Sequence, residues 1–128
     1  MIYLDASVAL AQLFAEDRTP PPDLWSRPLV ASRLLQYEVW ARVHARGLEA
    51  AHGDKVRELL DAVLYVELTP PVLARALEPF PVPVRTLDAL HLATMEFLRH
   101  HGQAFALASY DARLVGAARA LGIAAHPL

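Results

Sequence analysis

The feature that most constrains this fold is the alternation of short apolar runs with longer segments of helical periodicity. Apolar runs occur at residues 2–4, 29–31, 62–68, 105–108 and 123–125, and between most of them apolar residues recur every three or four positions. Strands separated by helices pair in parallel, because the connecting helix must cross over the sheet. We therefore predict an α/β protein with a mainly parallel sheet at the centre of a three-layer α/β/α arrangement.

A chain of this length without a linker-like segment indicates one domain over residues 1–128. Three consecutive prolines in residues 19–23 predict a loop within that domain, because proline cannot continue a helix. Ser32 and Thr86 are predicted to cap two of the helices, and a further helix is expected at about residues 54–61.

Composition limits the partners that such a domain can bind. The net charge is -2, so the protein is not basic overall, and any contact with RNA must come from a local patch of arginines. Apolar residues form 55% of the chain, an excess that leaves apolar surface for association. We expect a homodimer and an apolar groove for a partner helix.

The lack of cysteine excludes several kinds of site, and the lack of a long apolar segment argues against membrane attachment. The chain has no cysteine, which excludes disulfides, thiolate metal sites and a cysteine nucleophile. Residues 1–5 contain no basic segment before an apolar stretch, and no apolar run approaches the ~18 residues of a membrane span. We expect a cytoplasmic protein with no membrane attachment.

Four carboxylates stand out by their context. Asp5 ends the first predicted strand and Asp111 follows the fourth, where parallel sheets bind ligands. Asp88 begins the longest predicted helix, and Glu38 shares a helix face with apolar residues, so it should be partly buried and need a partner. Three of these carboxylates also have a purely structural explanation. Asp5 could begin a turn, Asp88 lies where a helix dipole favours an anion, and Asp111 could be the N-cap of a helix.

If these four side chains meet, their mutual repulsion calls for a bound cation. Their oxygens are hard ligands, and the chain has neither cysteine nor a paired-histidine motif for zinc. We therefore expect Mg²⁺ or Mn²⁺ rather than zinc. Such an ion activates water and shields the oxygens of a phosphodiester, which makes hydrolysis feasible without a protein nucleophile.

The same residues carry a resemblance to PIN-domain ribonucleases, in particular to the toxins of VapBC-type toxin–antitoxin systems. Four segments resemble the family's motifs in order and spacing: residues 2–7 (IYLDAS), 32–38 (SRLLQYE), 85–93 (RTLDALHLA) and 109–114 (SYDARL). The third is the most distinctive. The family often has threonine where Ser109 stands, and serine keeps the hydroxyl.

The resemblance implies an endoribonuclease that leaves 5′-phosphate and 3′-hydroxyl ends. It implies that Asp5 and Asp88 bind the metal directly, and that Glu38 and Asp111 complete the pocket directly or through water. Ser7 and Ser109 would orient water or carboxylates. We expect Ser109 to be a catalytic residue together with the four acids. Arg113 would touch the substrate or an acidic neighbour. A cognate antitoxin would inhibit the enzyme by laying a peptide across the acidic pocket.

Two other functions remain open from the sequence. A non-catalytic PIN-type module that binds RNA or protein is the main alternative, although all four acids are present. Phosphotransfer by a receiver-like or dehalogenase-like domain needs a second aspartate near the first and a lysine late in the chain. Ser7 occupies the position of that second aspartate, and Lys55 is the only lysine.

His91 falls on an apolar helix face, so we expect a hydrogen-bonded core histidine rather than a catalytic one.

Overall fold

The computed structural model describes all residues from 1 to 128. Its sheet has four strands: β1 (Ile2–Leu4), β2 (Leu29–Ser32), β3 (Val63–Val66) and β4 (Ala106–Ala108). Their order across the sheet is β3-β2-β1-β4, and every neighbouring pair is parallel. The prediction of a parallel α/β sheet is confirmed.

Six α-helices and one short 3-10 helix lie between the strands or, in the case of the last helix, after them. The α-helices are α1 (Ala6–Phe14), α2 (Leu34–Ala45), α3 (Glu49–Asp61), α4 (Pro70–Ala76), α5 (Thr86–His100) and α6 (Ala112–Ala120). The 3-10 helix spans Pro22–Ser26 and begins inside the segment predicted to be a loop. None of the helices is long and apolar enough to cross a bilayer.

Each face of the sheet is covered by its own apolar core, which gives the three predicted layers. Successive residues of β1 point to opposite faces, so Ile2 and Leu4 belong to one core and Tyr3 belongs to the other. The first core includes buried residues of α1, α2 and α3, and the second includes buried residues of α5 and α6. All three residues of β1 are fully buried, as expected for the central part of a parallel sheet.

The strand order places a topological switch point between β1 and β4. The chain moves outward from β1 to β2 and β3, and then returns across the sheet to β4. Because crossovers between parallel strands are nearly always right-handed, this reversal puts the later helices on the opposite face. The carboxyl ends of β1 and β4 meet at a crevice, which is where open α/β sheets bind ligands.

Several predicted boundaries are wrong. Residues 123–125 do not form a strand, because the chain makes a single parallel bridge between Leu107 and Ala125 and then reaches Pro127, which has no amide to donate. The third strand is shorter than predicted and ends at Val66, the last residue paired with β2. The fourth strand begins at Ala106, one residue later than predicted.

The helix starts also differ from the predictions. Helix α3 begins at Glu49 instead of about residue 54, since it continues through Gly53. Thr86 is the first residue of α5 and not its cap, and the N-cap position, Arg85, makes no side-chain capping bond. Ser32 ends β2, but its hydroxyl accepts the Leu34 amide at 3.2 Å, so it satisfies one donor of the first turn of α2.

Candidate active site

The four predicted acidic residues line one cavity. Asp5, Glu38, Asp88 and Asp111 surround a space of about 840 Å³ beyond the carboxyl ends of β1 and β4. The switch point of the sheet brings Asp5 next to the segment after β4, and the Asp5 amide donates to the Ala108 carbonyl at 3.1 Å. Residues that are far apart in the chain therefore meet at the place that the topology favours.

Asp5 is the most rigidly held of these carboxylates. It is 6% exposed, and its Oδ2 accepts hydrogen bonds from Ser7 Oγ at 2.6 Å and from Ser109 Oγ at 2.7 Å. The Ser7 amide also donates to Oδ2, at 3.4 Å, so Asp5 is the N-cap of α1 as well. No protein donor binds its other oxygen, Oδ1, which is left for a ligand.

The two serines gain their orientation from the loop after β4. Ser7 Oγ accepts the Tyr110 amide at 2.9 Å, and Ser109 Oγ accepts the Asp111 amide at 2.9 Å. Since each hydroxyl accepts from a fixed backbone N–H, its own proton is free to point at Asp5. These bonds are consistent with the predicted role of Ser7 and Ser109 in orienting a carboxylate.

Asp88 lies half-buried in the first turn of α5, where the backbone dipole favours a negative charge. Burial raises the pKa of Asp88, and the nearby charges of Asp111 and Asp5 raise it further. The backbone amide of Arg85 and the imidazole of His91 act in the opposite direction without cancelling this effect. Asp111 and Asp5 therefore lie near enough to Asp88 for their charges to disfavour its ionised form.

Asp111 caps a helix, as its position in the sequence suggested. It is the N-cap of α6, where its Oδ1 accepts the amides of Arg113 at 2.9 Å and of Leu114 at 3.4 Å. The side chain is exposed on the cavity, and no protein group binds its Oδ2. Capping fixes the orientation of the carboxylate and leaves one oxygen for a ligand.

Glu38 is partly buried, as predicted, and its partner is a histidine. His91 Nε2 lies 2.6 Å from Glu38 Oε1, and the two side chains are 2% and 21% exposed. Arg42, four residues after Glu38, is exposed and makes no ion pair with it. Burial alone would lower the pKa of His91, but the hydrogen bond and charge of Glu38, with Asp5 and Asp88, raise it above its usual value.

Behind His91 lies a second buried group. Tyr3 Oη is 2.8 Å from His91 Nδ1 and accepts the Ser32 amide at 3.2 Å. Both rings are buried, and they meet edge to face with centroids 6.0 Å apart. The expectation of a hydrogen-bonded core histidine is confirmed, although His91 also reaches the cavity wall.

Two arginines near the acidic residues were not predicted to line the cavity. Arg18 and Arg42 line the same cavity, with the acidic pair Glu16 and Asp17. Arg18 donates to the Tyr110 carbonyl at 3.2 Å, and its guanidinium lies 5.0 Å from the centre of the Tyr110 ring. Their positions depend on how the α1–β2 connection and α2 pack, and no local motif marks them.

A second cavity, of about 560 Å³, shares Asp88 with the first. Arg85 and Arg113 line it, and neither guanidinium makes an ion pair with an acidic side chain. Arg113 was predicted to touch either the substrate or an acidic neighbour. It has no acidic partner in this structure. The guanidinium groups of Arg85 and Arg113 therefore lie beside the acidic cavity without an acidic partner.

The donor chemistry of the cavity fits a hard divalent cation. Its available ligands are carboxylate oxygens, and both nitrogens of the only lining histidine, His91, are already hydrogen-bonded. No three acidic or histidine side chains converge closely enough to hold an ion as they stand. Mg²⁺ keeps several waters and uses one or two carboxylates, so it does not require three converging side chains.

Comparison with known proteins decides the family. Residues 2–120 match the PIN domain. The chain belongs to the PIN domain family. The matched residues of this PIN domain extend from β1 to the end of α6, so they include all four acidic residues of the cavity. The chain is also similar to Ribonuclease VapC47 of Mycobacterium tuberculosis (strain CDC 1551 / Oshkosh), with 32% identity over 95% of this chain and 93% of that protein.

Proposed function

We propose that this PIN domain, over residues 1–128, is a metal-dependent endoribonuclease of the cytoplasm and the toxin of a toxin–antitoxin pair. The observation that carries the proposal is the cavity at the β1–β4 switch point, which four carboxylates line. None of Asp5, Asp88 and Asp111 has an arginine or lysine partner. Similarity to a protein named as a ribonuclease supports RNA as the substrate class.

Asp5 and Asp88 are proposed to hold Mg²⁺ or Mn²⁺ directly, with Glu38 and Asp111 binding it directly or through water. The bound ion would supply activation of water and shielding of the phosphate oxygens. The protein's own contribution is to fix the carboxylates: serine hydroxyls hold Asp5, the first turn of α5 carries Asp88, and capping of α6 orients Asp111. Such preorganisation lowers the cost of ordering ligands.

Substrate contact is proposed for the arginines around the cavity. Arg85 and Arg113 lie beside Asp88 with no acidic partner, and guanidinium groups suit the oxygens of phosphate. They would hold an RNA phosphate next to the one that is cleaved. Hydrolysis breaks the bond between phosphorus and the 3′ oxygen, so that a 5′-phosphate and a 3′-hydroxyl result.

Two protein partners are part of the proposal. Exposed apolar side chains of α4 and of the segment after it form a surface that we propose for a homodimer: Leu73, Leu77 and Val82. A cognate antitoxin would place a peptide over the acidic cavity, where a cationic side chain would neutralise the carboxylates. The resemblance to toxin–antitoxin ribonucleases is the basis for this second partner.

The test is cleavage of a mixed RNA pool by the purified protein, with the new ends identified by enzymatic labelling. We expect cleavage in Mg²⁺ or Mn²⁺, none after chelation, and 5′-phosphate ends. Metal binding should also raise the melting temperature. A folded protein that binds no metal at millimolar concentration and leaves RNA intact would refute the nuclease and favour the non-catalytic module.

A further inference from the structure

A buried chain of hydrogen bonds connects the core of the protein to Glu38, and the nuclease chemistry described above does not use it. The chain runs from the Ser32 amide to Tyr3 Oη, then to His91 Nδ1, and from His91 Nε2 to Glu38 Oε1, over 3.2, 2.8 and 2.6 Å. Tyr3 and His91 are 0% and 2% exposed, so no water competes for these bonds. The chain ends at the cavity wall.

His91 donates from Nε2 to Glu38 in either of its protonation states, because a carboxylate oxygen accepts. Since the Ser32 amide can only donate, Tyr3 Oη accepts there, and its own proton is available for Nδ1 of a neutral His91. Burial raises the pKa of Tyr3, so the phenol keeps that proton.

One oxygen of Glu38 is thereby occupied, and the other is not. Oε1 accepts from His91, whereas Oε2 has no protein donor, and the side chain is 21% exposed on the cavity. A glutamate on a helix has three rotatable bonds, and holding one oxygen removes most of that freedom. The free oxygen is presented to the cavity at a lower entropic cost than that of an unrestrained glutamate.

We propose that His91, anchored by Tyr3, is a positioning residue that sets the orientation of Glu38 toward the divalent cation. This inference rests on the proposed function, because it assumes that the cavity binds the cation. Hydrogen-bonded supports behind metal ligands typically contribute about 10–100-fold to metal affinity or activity. The contact joins α2 and α5, which pack on opposite faces of the sheet.

Two substitutions separate positioning from simple packing. His91→Gln keeps a donor near the position of Nε2, and so keeps the bond to Glu38. His91→Asn keeps a polar atom near Nδ1 for Tyr3, but it is too short to reach Glu38. Met95→Leu is the packing control, since Met95 is also fully buried on α5 and makes no hydrogen bond with Glu38.

The experiment is a calorimetric titration of Mg²⁺ and Mn²⁺ into each protein, with thermal melts in the absence of metal. We expect His91→Asn to weaken metal binding about 10-fold or more, and His91→Gln and Met95→Leu to bind nearly as wild type. Tyr3→Phe, which frees the imidazole and keeps the ring, should weaken binding in the same direction by less. It also provides the comparison if His91→Asn does not fold.

The decisive control is the Glu38→Gln background. If His91 acts through Glu38, then adding His91→Asn to Glu38→Gln should weaken metal binding little further, the non-additivity of coupled groups. Equal affinities of wild type, His91→Asn and Tyr3→Phe, or an equally large effect of His91→Asn in the Glu38→Gln background, would overturn the inference. A wild-type protein that binds no metal would instead refute the proposed function itself.

Discussion

The hydroxyl of Ser109 lies 2.7 Å from Oδ2 of Asp5, although 104 positions separate the two residues in the chain. This bond joins the ends of β1 and β4, the two strands that flank the switch point of the sheet. It also restricts the Asp5 carboxylate, whose other oxygen no protein group binds. The orientation of Asp5 therefore depends on a residue from the other end of the chain.

Removing the hydroxyl of Ser109 should reduce metal affinity and RNA cleavage without unfolding the protein. Ser109→Ala leaves Asp5 with Ser7 as its only side-chain donor, and we expect kcat/KM to fall by about 10–100-fold. Ser109→Thr keeps the hydroxyl and is the matched control. If Ser109→Ala and Ser109→Thr cleave RNA equally fast at limiting metal, the serine does not orient Asp5.

Asp88→Asn should stabilise the metal-free protein at neutral pH. The pKa of Asp88 is raised in the folded state by burial and by Asp111 and Asp5, so folding favours the protonated acid. That stability is present below the ordinary pKa of aspartate and is lost as pH rises through the raised pKa. The variant should thus melt above wild type at about pH 8 and level with it at about pH 3, below the ordinary aspartate value.

This comparison needs a chelator, since bound metal would reverse the order by stabilising wild type. Differential scanning calorimetry of both proteins at several pH values measures it. A melting temperature of Asp88→Asn that stays below wild type at all pH values would show that Asp88 makes a favourable contact in the apo protein and no net repulsion.

The arginines beside Asp88 should determine RNA affinity more than the rate of cleavage. Arg113→Ala and Arg85→Ala each remove one free guanidinium from the second cavity, so KM should rise while kcat changes little. The slope of log KM against log salt should fall by about one for each phosphate that a guanidinium no longer binds. Arg119→Ala, at the opposite end of α6, is the control. An unchanged salt slope in Arg113→Ala would exclude this phosphate contact.

The proposed dimer surface predicts a variant that is monomeric. Leu77 is 87% exposed at the end of α4, and Leu77→Asp would place a charge in the proposed contact. Sedimentation velocity should show a dimer for wild type and a monomer for this variant. Leu64→Asp, on the edge strand β3, is the matched control at an exposed leucine outside the proposed surface, and it should remain a dimer. A monomeric wild type at high concentration would contradict the dimer.

The sequence was sufficient for the layers of the fold and for the position of the acidic residues. Asp5 and Asp111 follow strands closely, so the rule that parallel strands end at one edge places them together. Helix starts were harder to predict: α3 passes through Gly53, because tertiary contacts offset the low helix propensity of one glycine. Residues 123–125 have the apolar pattern of a strand, but only Ala125 forms a bridge, to Leu107.

The partner of Glu38 could not be predicted from local pattern. Sequence periodicity predicts which helix face is buried, but not which residue of another helix it meets. Arg42 lies one helical turn after Glu38, whereas the bond forms with His91, 53 positions away and on a helix from the opposite face of the sheet. Only the relative placement of α2 and α5 determines that contact.

The central claim is that Asp5 and Asp88 act together on one cation. Asn at either position keeps the size of the side chain but removes a charge, so the most direct test is RNA cleavage in Mn²⁺ by Asp5→Asn, Asp88→Asn and the double variant, with melts to confirm folding. We predict that each single variant is slower by about 100-fold or more and that the double variant is little worse, as expected of cooperating groups. A folded single variant that cleaves RNA at nearly the wild-type rate would contradict the claim.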